Sequence, residues 1–291
     1  MREAGAEAAA EMKVVTTSVD IPREQVDAFF DAMLEGSVTD VLARIAQHFL
    51  PDREELEAQL RDLANKAPLS YMMTHTIKDE VGRTVAVVGP LDQDFEGQLV
   101  RHVSQHLAIS SIWLRETVQR GLDRGLLSAQ ALLDFLLDCP LFDEARRAIL
   151  EAGADAYVRG DSVAAIHLLV PQVEQAMRQL AVGVNAAIYK KRPGGGVHVR
   201  TLDDLLRDEA VSAAVGPALG DGVLPYFRIL LTDARGWNVR NTVCHGLAPV
   251  GALTMPVADR VVHVALVLSL LRAEDPVQHH GEQPPEDVEA E

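Results

Sequence analysis

The chain has 291 residues and a net charge of −16, and it is 48% hydrophobic but only 4% aromatic. That length fits one large or two ordinary domains, with a sizeable core built from Leu, Val, Ala and Ile, which tilts the fold towards helix. The acidic balance argues against nucleic-acid binding over the whole surface, and two cysteines about a hundred residues apart, Cys139 and Cys244, supply neither a disulfide framework nor zinc spacing.

Met1–Glu11 is rich in alanine and glutamate and reads as disordered rather than as a basic region leading into an apolar signal. A helix is expected from Ile21-Pro22-Arg23-Glu24, with Asp20 as its cap and Pro22 near its first turn. Val38–Phe49 and the strongly charged Asp52–Lys66 read as two more. The period then changes: Thr74–Val88 has β-branched runs on both sides of Gly82, which predicts a β-hairpin. Helix returns at Phe95–Arg120, Ser128–Asp138 and Asp143–Glu151, and a domain boundary is expected near residue 150.

Asp161 caps the next helix. Its apolar positions Val163, Ile166, Val170, Val173, Met177, Leu180 and Val184 step by three and four, the period of a seam against another helix. Pro171 should kink or split it. His167, Pro171, Glu174 and Arg178 form a stripe beside this seam. Glu174 and Arg178 stand one turn apart, a spacing that usually marks a surface ion pair worth under ~1 kcal/mol.

Lys190-Lys191-Arg192-Pro193-Gly194-Gly195-Gly196 ends the helix and reads as a flexible linker, since it lacks the spacing of a phosphate-binding loop. Thr201 and Asp204 have capping-box spacing, Val223–Leu231 is helical, and a buried apolar helix runs from about Pro256 to Arg272. The acid-rich stretch from Glu274 to Glu291 reads as disordered. These elements predict an all-α helical bundle with a small β-hairpin in its N-terminal half. The divisions are 1–19 (disordered), 20–150 (mostly helical), 151–273 (helical) and 274–291 (acidic tail).

Charge is unevenly distributed. Gln175–Leu202 has no acid but contains Arg178, Lys190, Lys191, Arg192 and Arg200; Ala234–Ala258 has no acid but contains Arg235 and Arg240. These windows either form one local anion-binding surface or neutralise helix C-termini.

Arg240, Asn241 and His245 are the strongest candidates for chemistry. Asn241 and His245 share a helical face, and the long Arg240 side chain reaches back over the first turn. Arginine clamps phosphate without losing its charge, and histidine exchanges protons near neutral pH. Together they suit cleavage of an RNA phosphodiester by its own 2′-hydroxyl, with no metal and no cofactor. Cys244, next to His245 but turned about 100° away, reads as a small buried residue. The competing view is that Arg240, Asn241 and His245 cap and pair to hold two helices together.

The segment Arg240-Asn241-Thr242-Val243-Cys244-His245-Gly246-Leu247 resembles the RNxxxHG signature of an uncharacterised bacterial family. Ile166–Arg178, with its Pro171-Gln172-Val173-Glu174 core, resembles that family's other recurrent segment. The family is identified as a member of the HEPN superfamily of all-α domains, and the resemblance covers roughly residues 150 to 272. It implies a metal-independent ribonuclease with Arg240 and His245 catalytic and Asn241 assisting. Glu174 and Arg178 would support the motif helix, with RNA bound at Lys190, Lys191 and Arg192. It also implies a homodimer with a regulatory protein partner, in phage defence or a toxin–antitoxin pair. The superfamily equally holds non-catalytic dimerisation and adaptor modules, which the acidic balance suits. A nucleotide sensor using Arg240 and Lys190–Arg192 ranks below both.

Overall fold

A computed structural model describes residues 20–79, 82–192 and 194–271. The readings at Met1–Glu11 and Glu274–Glu291 lie outside the described residues. The fold is helical with two small antiparallel hairpins. In chain order the elements are α1 (Arg23–Met33), α2 (Val38–His48), α3 (Arg53–Lys66), the one-turn α4 (Pro68–Tyr71), β1 (His75–Lys78), β2 (Thr84–Val88), α5 (Phe95–Asp123) and α6 (Ala129–Leu137). A 3₁₀ turn at Glu144–Arg146 leads into α7 (Arg147–Val158), α8 (Ser162–Gly183), β3 (Tyr189–Lys191), β4 (Val197–Val199), α9 (Leu202–Leu206), α10 (Glu209–Leu219) and α11 (Val223–Leu231). The chain then forms α12 (Val239–Cys244), a second 3₁₀ turn and α13 (Met255–Leu268).

Helix starts follow local chemistry. Ser37, Asp52, Asp94, Ser128, Asp161, Thr201 and Asp208 each accept a backbone N–H of the first turn, and Ser37 and Thr201 complete capping boxes with Asp40 and Asp204. Each such cap contributes about 1 kcal/mol. Asp20 does not cap α1; Pro22 holds that position with no side-chain bond.

The core forms around α13, in which every residue from Ala258 to Leu268 is buried. α13 packs against α8 on one side and α2 and α5 on another, and α8 also packs on α7, α9 and α12. Buried side chains from Met33 to Leu268 form one connected cluster. Residue 150 lies inside α7, where Leu150 is buried.

Three local expectations are corrected. α8 runs unbroken from Ser162 to Gly183 with Pro171 inside it. Pro171 is exposed, so its missing hydrogen bond falls on the solvent side, where it costs least. The seam of α8 is narrower than its spacing suggested: Ile166, Val170, Val173, Met177 and Leu180 are buried, but Val163 is exposed. The stretch around Lys190 is not a linker but a hairpin, with Tyr189 opposite Val199, Lys190 opposite His198 and Lys191 opposite Val197. β-branched Val197 and Val199 favour the extended backbone, and Gly194, Gly195 and Gly196, all at positive φ, make the reversal. Among the described residues, no helix is long and apolar enough to cross a membrane.

Candidate active site around Arg240

α12 is a six-residue helix held at both ends by backbone features specific to its sequence. Before it, a turn closes with the Gly236 N–H on the Asp233 carbonyl and the Trp237 N–H on the Ile229 carbonyl. A Cβ at Gly236 would stand 2.3 Å from that Ile229 oxygen, so only glycine lets the turn lie this close to α11. The Trp237 indole N–H donates to the Ser104 carbonyl of α5 at 3.2 Å and fixes the turn to the rest of the fold. Asn238 enters α12 in the left-handed region, at φ 54°.

After α12, His245 is the C-cap and Gly246 follows at φ 66°. The Gly246 N–H donates to the Val243 carbonyl at 3.0 Å and the Leu247 N–H to the Thr242 carbonyl at 2.7 Å. This pair of bonds is a Schellman motif, which requires a left-handed residue where Gly246 stands. The His-Gly pair of the motif is therefore first of all a helix stop.

Val239 and Val243 are buried and anchor α12 to the core. Arg240 turns towards α8, where Glu174 is 5% exposed. Arg240 Nε donates to Glu174 Oε2 at 2.7 Å and Nη2 to Oε1 at 3.1 Å, a fork-to-fork pair. Arg178 donates to the same Oε1, so one buried carboxylate holds two guanidinium groups. Glu174 and Arg178 are thus not a plain surface pair. The Glu174 bonds, ahead of the opposing effect of burial, raise the Arg240 pKa and keep it charged.

Asn241 is committed to positioning. Its Oδ1 accepts from Arg240 Nη1 at 3.1 Å, while Nδ2 donates to the Thr232 carbonyl at 3.1 Å and to Asn238 Oδ1 at 2.8 Å. The Thr232 hydroxyl donates in turn to Asp203 of α9 at 2.9 Å, which ties the site to that helix. His245 is exposed and its ring makes no hydrogen bond among the described residues. Cys244 is exposed rather than buried, and enclosure by nearby protein pushes its thiol pKa up, away from a thiolate nucleophile.

The acid-free windows do not add up to one cationic face. Lys190 pairs with Asp204, Arg200 with Asp208, and Arg235 with Asp233; Arg178 and Arg240 share Glu174. Lys191 and Arg192 are exposed on the hairpin and make no ion pair among the described residues. The structure brings Glu174, Arg178, Arg240 and Asn241 together, and among the described residues no hydrogen bond or ion pair joins Lys190, Lys191 or Arg192 to Arg240, Asn241 or His245. Sequence reasoning missed Asn238 and Thr232 as positioning residues. The three-residue step from Asn238 to Asn241 was a usable signal for the first; nothing local marks the second.

Comparison of the chain with protein-family models, with curated proteins and with solved structures finds no match.

Proposed function

We propose that this chain is a metal-independent endoribonuclease that cleaves RNA by attack of the 2′-hydroxyl on the adjacent phosphodiester. His245 takes the 2′-hydroxyl proton, the 2′-oxygen bonds to phosphorus, the bond to the 5′-oxygen breaks, and that oxygen is protonated by water. The products end in a 2′,3′-cyclic phosphate and a 5′-hydroxyl. Arg240 offsets the charge that builds on the phosphorane. In this reading Lys191 and Arg192 contact the RNA backbone, and the protein works as a cytoplasmic homodimer, held in check by a protein partner, in phage defence or a toxin–antitoxin pair.

The observation that carries the reading is the contrast within one short helix. Arg240 is held by Glu174 and Asn241, while His245 is exposed and its ring makes no hydrogen bond among the described residues. Three of the five N–H groups of Arg240 are committed, and two remain for phosphate oxygens. A pre-oriented cation and an exposed imidazole carried by the same short segment suit charge stabilisation and proton transfer.

A second reading is a non-catalytic dimerisation or adaptor module. It is favoured by the same Glu174 fork, which satisfies Arg240 without a ligand. Total RNA and tRNA incubated in EDTA with wild type, Arg240→Ala and His245→Ala separate the two. The nuclease reading expects cyclic-phosphate ends from wild type and a loss of about 10²–10⁴-fold in the folded His245 variant. Intact RNA in every sample supports the module.

A further inference from the structure

On the face formed by α1, α5 and the end of α2 there is a cavity of about 420 Å³, within the range of small-molecule sites. Phe29, Phe49 and Trp113 give it aromatic walls, and His48, His106 and Ser110 add polar groups. The rings brace one another: Phe29 meets Trp113 edge-on at 5.3 Å, and His48 meets Phe49 edge-on at 5.0 Å.

Behind the polar side lies Arg260 of α13, with no exposed surface. Its guanidinium donates to Ser111 Oγ at 2.9 Å, the Phe49 carbonyl at 3.1 Å, the Leu107 carbonyl at 3.2 Å and Ser110 Oγ at 2.5 Å. All four acceptors are neutral, and no carboxylate of the described residues lies within 4.0 Å of it. The adjacent Asp259 makes its bonds to Tyr157 and Arg115 through Oδ1 and acts on Arg260 only through the longer-range field of its charge, not through a direct ion pair. A fully buried cation with no carboxylate in direct contact is costly, and an anion brought from outside lowers that cost. Two cavity residues, Phe49 and Ser110, touch this guanidinium directly. A third, His106, feels its charge: after burial, Arg260 is the next cause that lowers the His106 pKa.

We propose that this cavity binds a small aromatic carboxylic acid, with its ring among Phe29, Phe49 and Trp113 and its carboxylate at Ser110 and His106 over the Arg260 charge. The aromatic walls select a planar body. The Ser110 hydroxyl, which donates to the His106 carbonyl at 2.8 Å, turns to the carboxylate while still accepting from Arg260. This site stands apart from α12 and does not depend on the nuclease reading.

Isothermal titration of the full chain with benzoate, salicylate and 2-naphthoate tests the proposal, with benzyl alcohol and inorganic phosphate as controls. Saturable one-site binding of at least one aromatic acid is expected, with benzyl alcohol and phosphate at least ~10-fold weaker, which corresponds to about 1.4 kcal/mol. Ser110→Leu, which fills the floor, should weaken binding by a similar factor. Gln25→Phe, at an exposed position on the cavity lining, should do the same without touching the Arg260 network. Absence of saturable binding by all three acids overturns the proposal. So does benzyl alcohol or phosphate binding as tightly as the acids, or acid affinity unchanged in a folded Gln25→Phe variant.

Discussion

Glu174 on α8 and Arg240 on α12 are joined by two parallel bonds, of 2.7 and 3.1 Å, across 66 residues of sequence. Glu174 is nearly fully buried and serves Arg178 as well. Removing its charge leaves two part-buried guanidinium groups without their shared counter-ion. Glu174→Gln should therefore lower stability by about 3 kcal/mol, read from a urea midpoint, since breaking a buried pair on one side costs about 3–5 kcal/mol. Arg240→Met combined with Glu174→Gln should cost less than the sum of the two single changes. Simple additivity in that cycle would mean that the fork contributes no coupling.

Two glycines that flank the motif should respond differently to alanine. At Gly246 a Cβ meets nothing within 4 Å, but φ is +66°, so Gly246→Ala should cost only the left-handed backbone penalty, about 1–2 kcal/mol. At Gly236 the Cβ would press on the Ile229 carbonyl at 2.3 Å, so the turn itself must move. Gly236→Ala should be the more damaging of the two, by thermal melting, and should also reduce any activity of Arg240 by displacing α12. The reverse order would place the strain at the wrong end of the helix.

Two buried groups on α13 make stability depend on pH in opposite directions. Burial pushes Asp259 up to about 6, against the opposing pull of Arg115, and burial pushes His263 down to about 3. Asp259 binds its proton more tightly in the folded state. Its contribution is therefore full below its ordinary value of 3.8 and is lost as pH rises through about 6. His263 stays neutral in the folded state, so its contribution is full above 6.5 and is lost as pH falls towards 3. Between pH 6 and 4 the two oppose each other, with single-group slopes of at most about 1.4 kcal/mol per pH unit. In urea melts at pH 6 and pH 4, Asp259→Asn should lose more stability on acidification than wild type, and His263→Gln should lose less. Parallel curves for all three proteins would contradict the assignment.

On the nuclease reading, the hairpin cations should not contribute equally to RNA binding. Lys190 is already paired with Asp204, whose pKa is held down at about 2, with the Lys190 and Thr201 hydrogen bonds outweighing its burial. Lys191 and Arg192 are exposed and make no ion pair among the described residues. In a His245→Ala background, which removes cleavage, Lys191→Gln with Arg192→Gln should flatten the salt dependence of binding to single-stranded RNA by about 1.4 in log–log slope. Lys190→Gln should change it little. Equal effects at all three positions would argue that the Asp204 pair opens on binding.

Some helix starts were legible because a cap acts within three or four residues: Asp161 and the Thr201–Asp204 box were read from spacing and cap their helices, whereas Asp20, read the same way, does not cap α1. The first hairpin was equally legible, from β-branched runs around Gly82. That His245-Gly246 ends α12 shows only in the structure, from the positive φ of Gly246 and the bonds that close around it. The second hairpin was missed because charge and glycine in Lys190–Gly196 look like a linker until Val197 and Val199 pair back.

The sequence by itself thus determined most of the helices and the caps at Asp161 and Thr201, which are set by backbone and side-chain contacts within one or two turns. Only the tertiary structure decided which distant charges meet, as Arg240 and Glu174 do across 66 residues. The acids that neutralise the two basic windows, Glu174, Asp204, Asp208 and Asp233, all lie outside them or just past their edges. Tertiary packing also joined Asp259 to Tyr157 and Arg115, 102 and 144 residues away, and left Arg260 with neutral hydrogen-bond acceptors and no direct ion pair among the described residues. Coulomb energy depends on distance in space and on burial, and neither can be read from order along the chain.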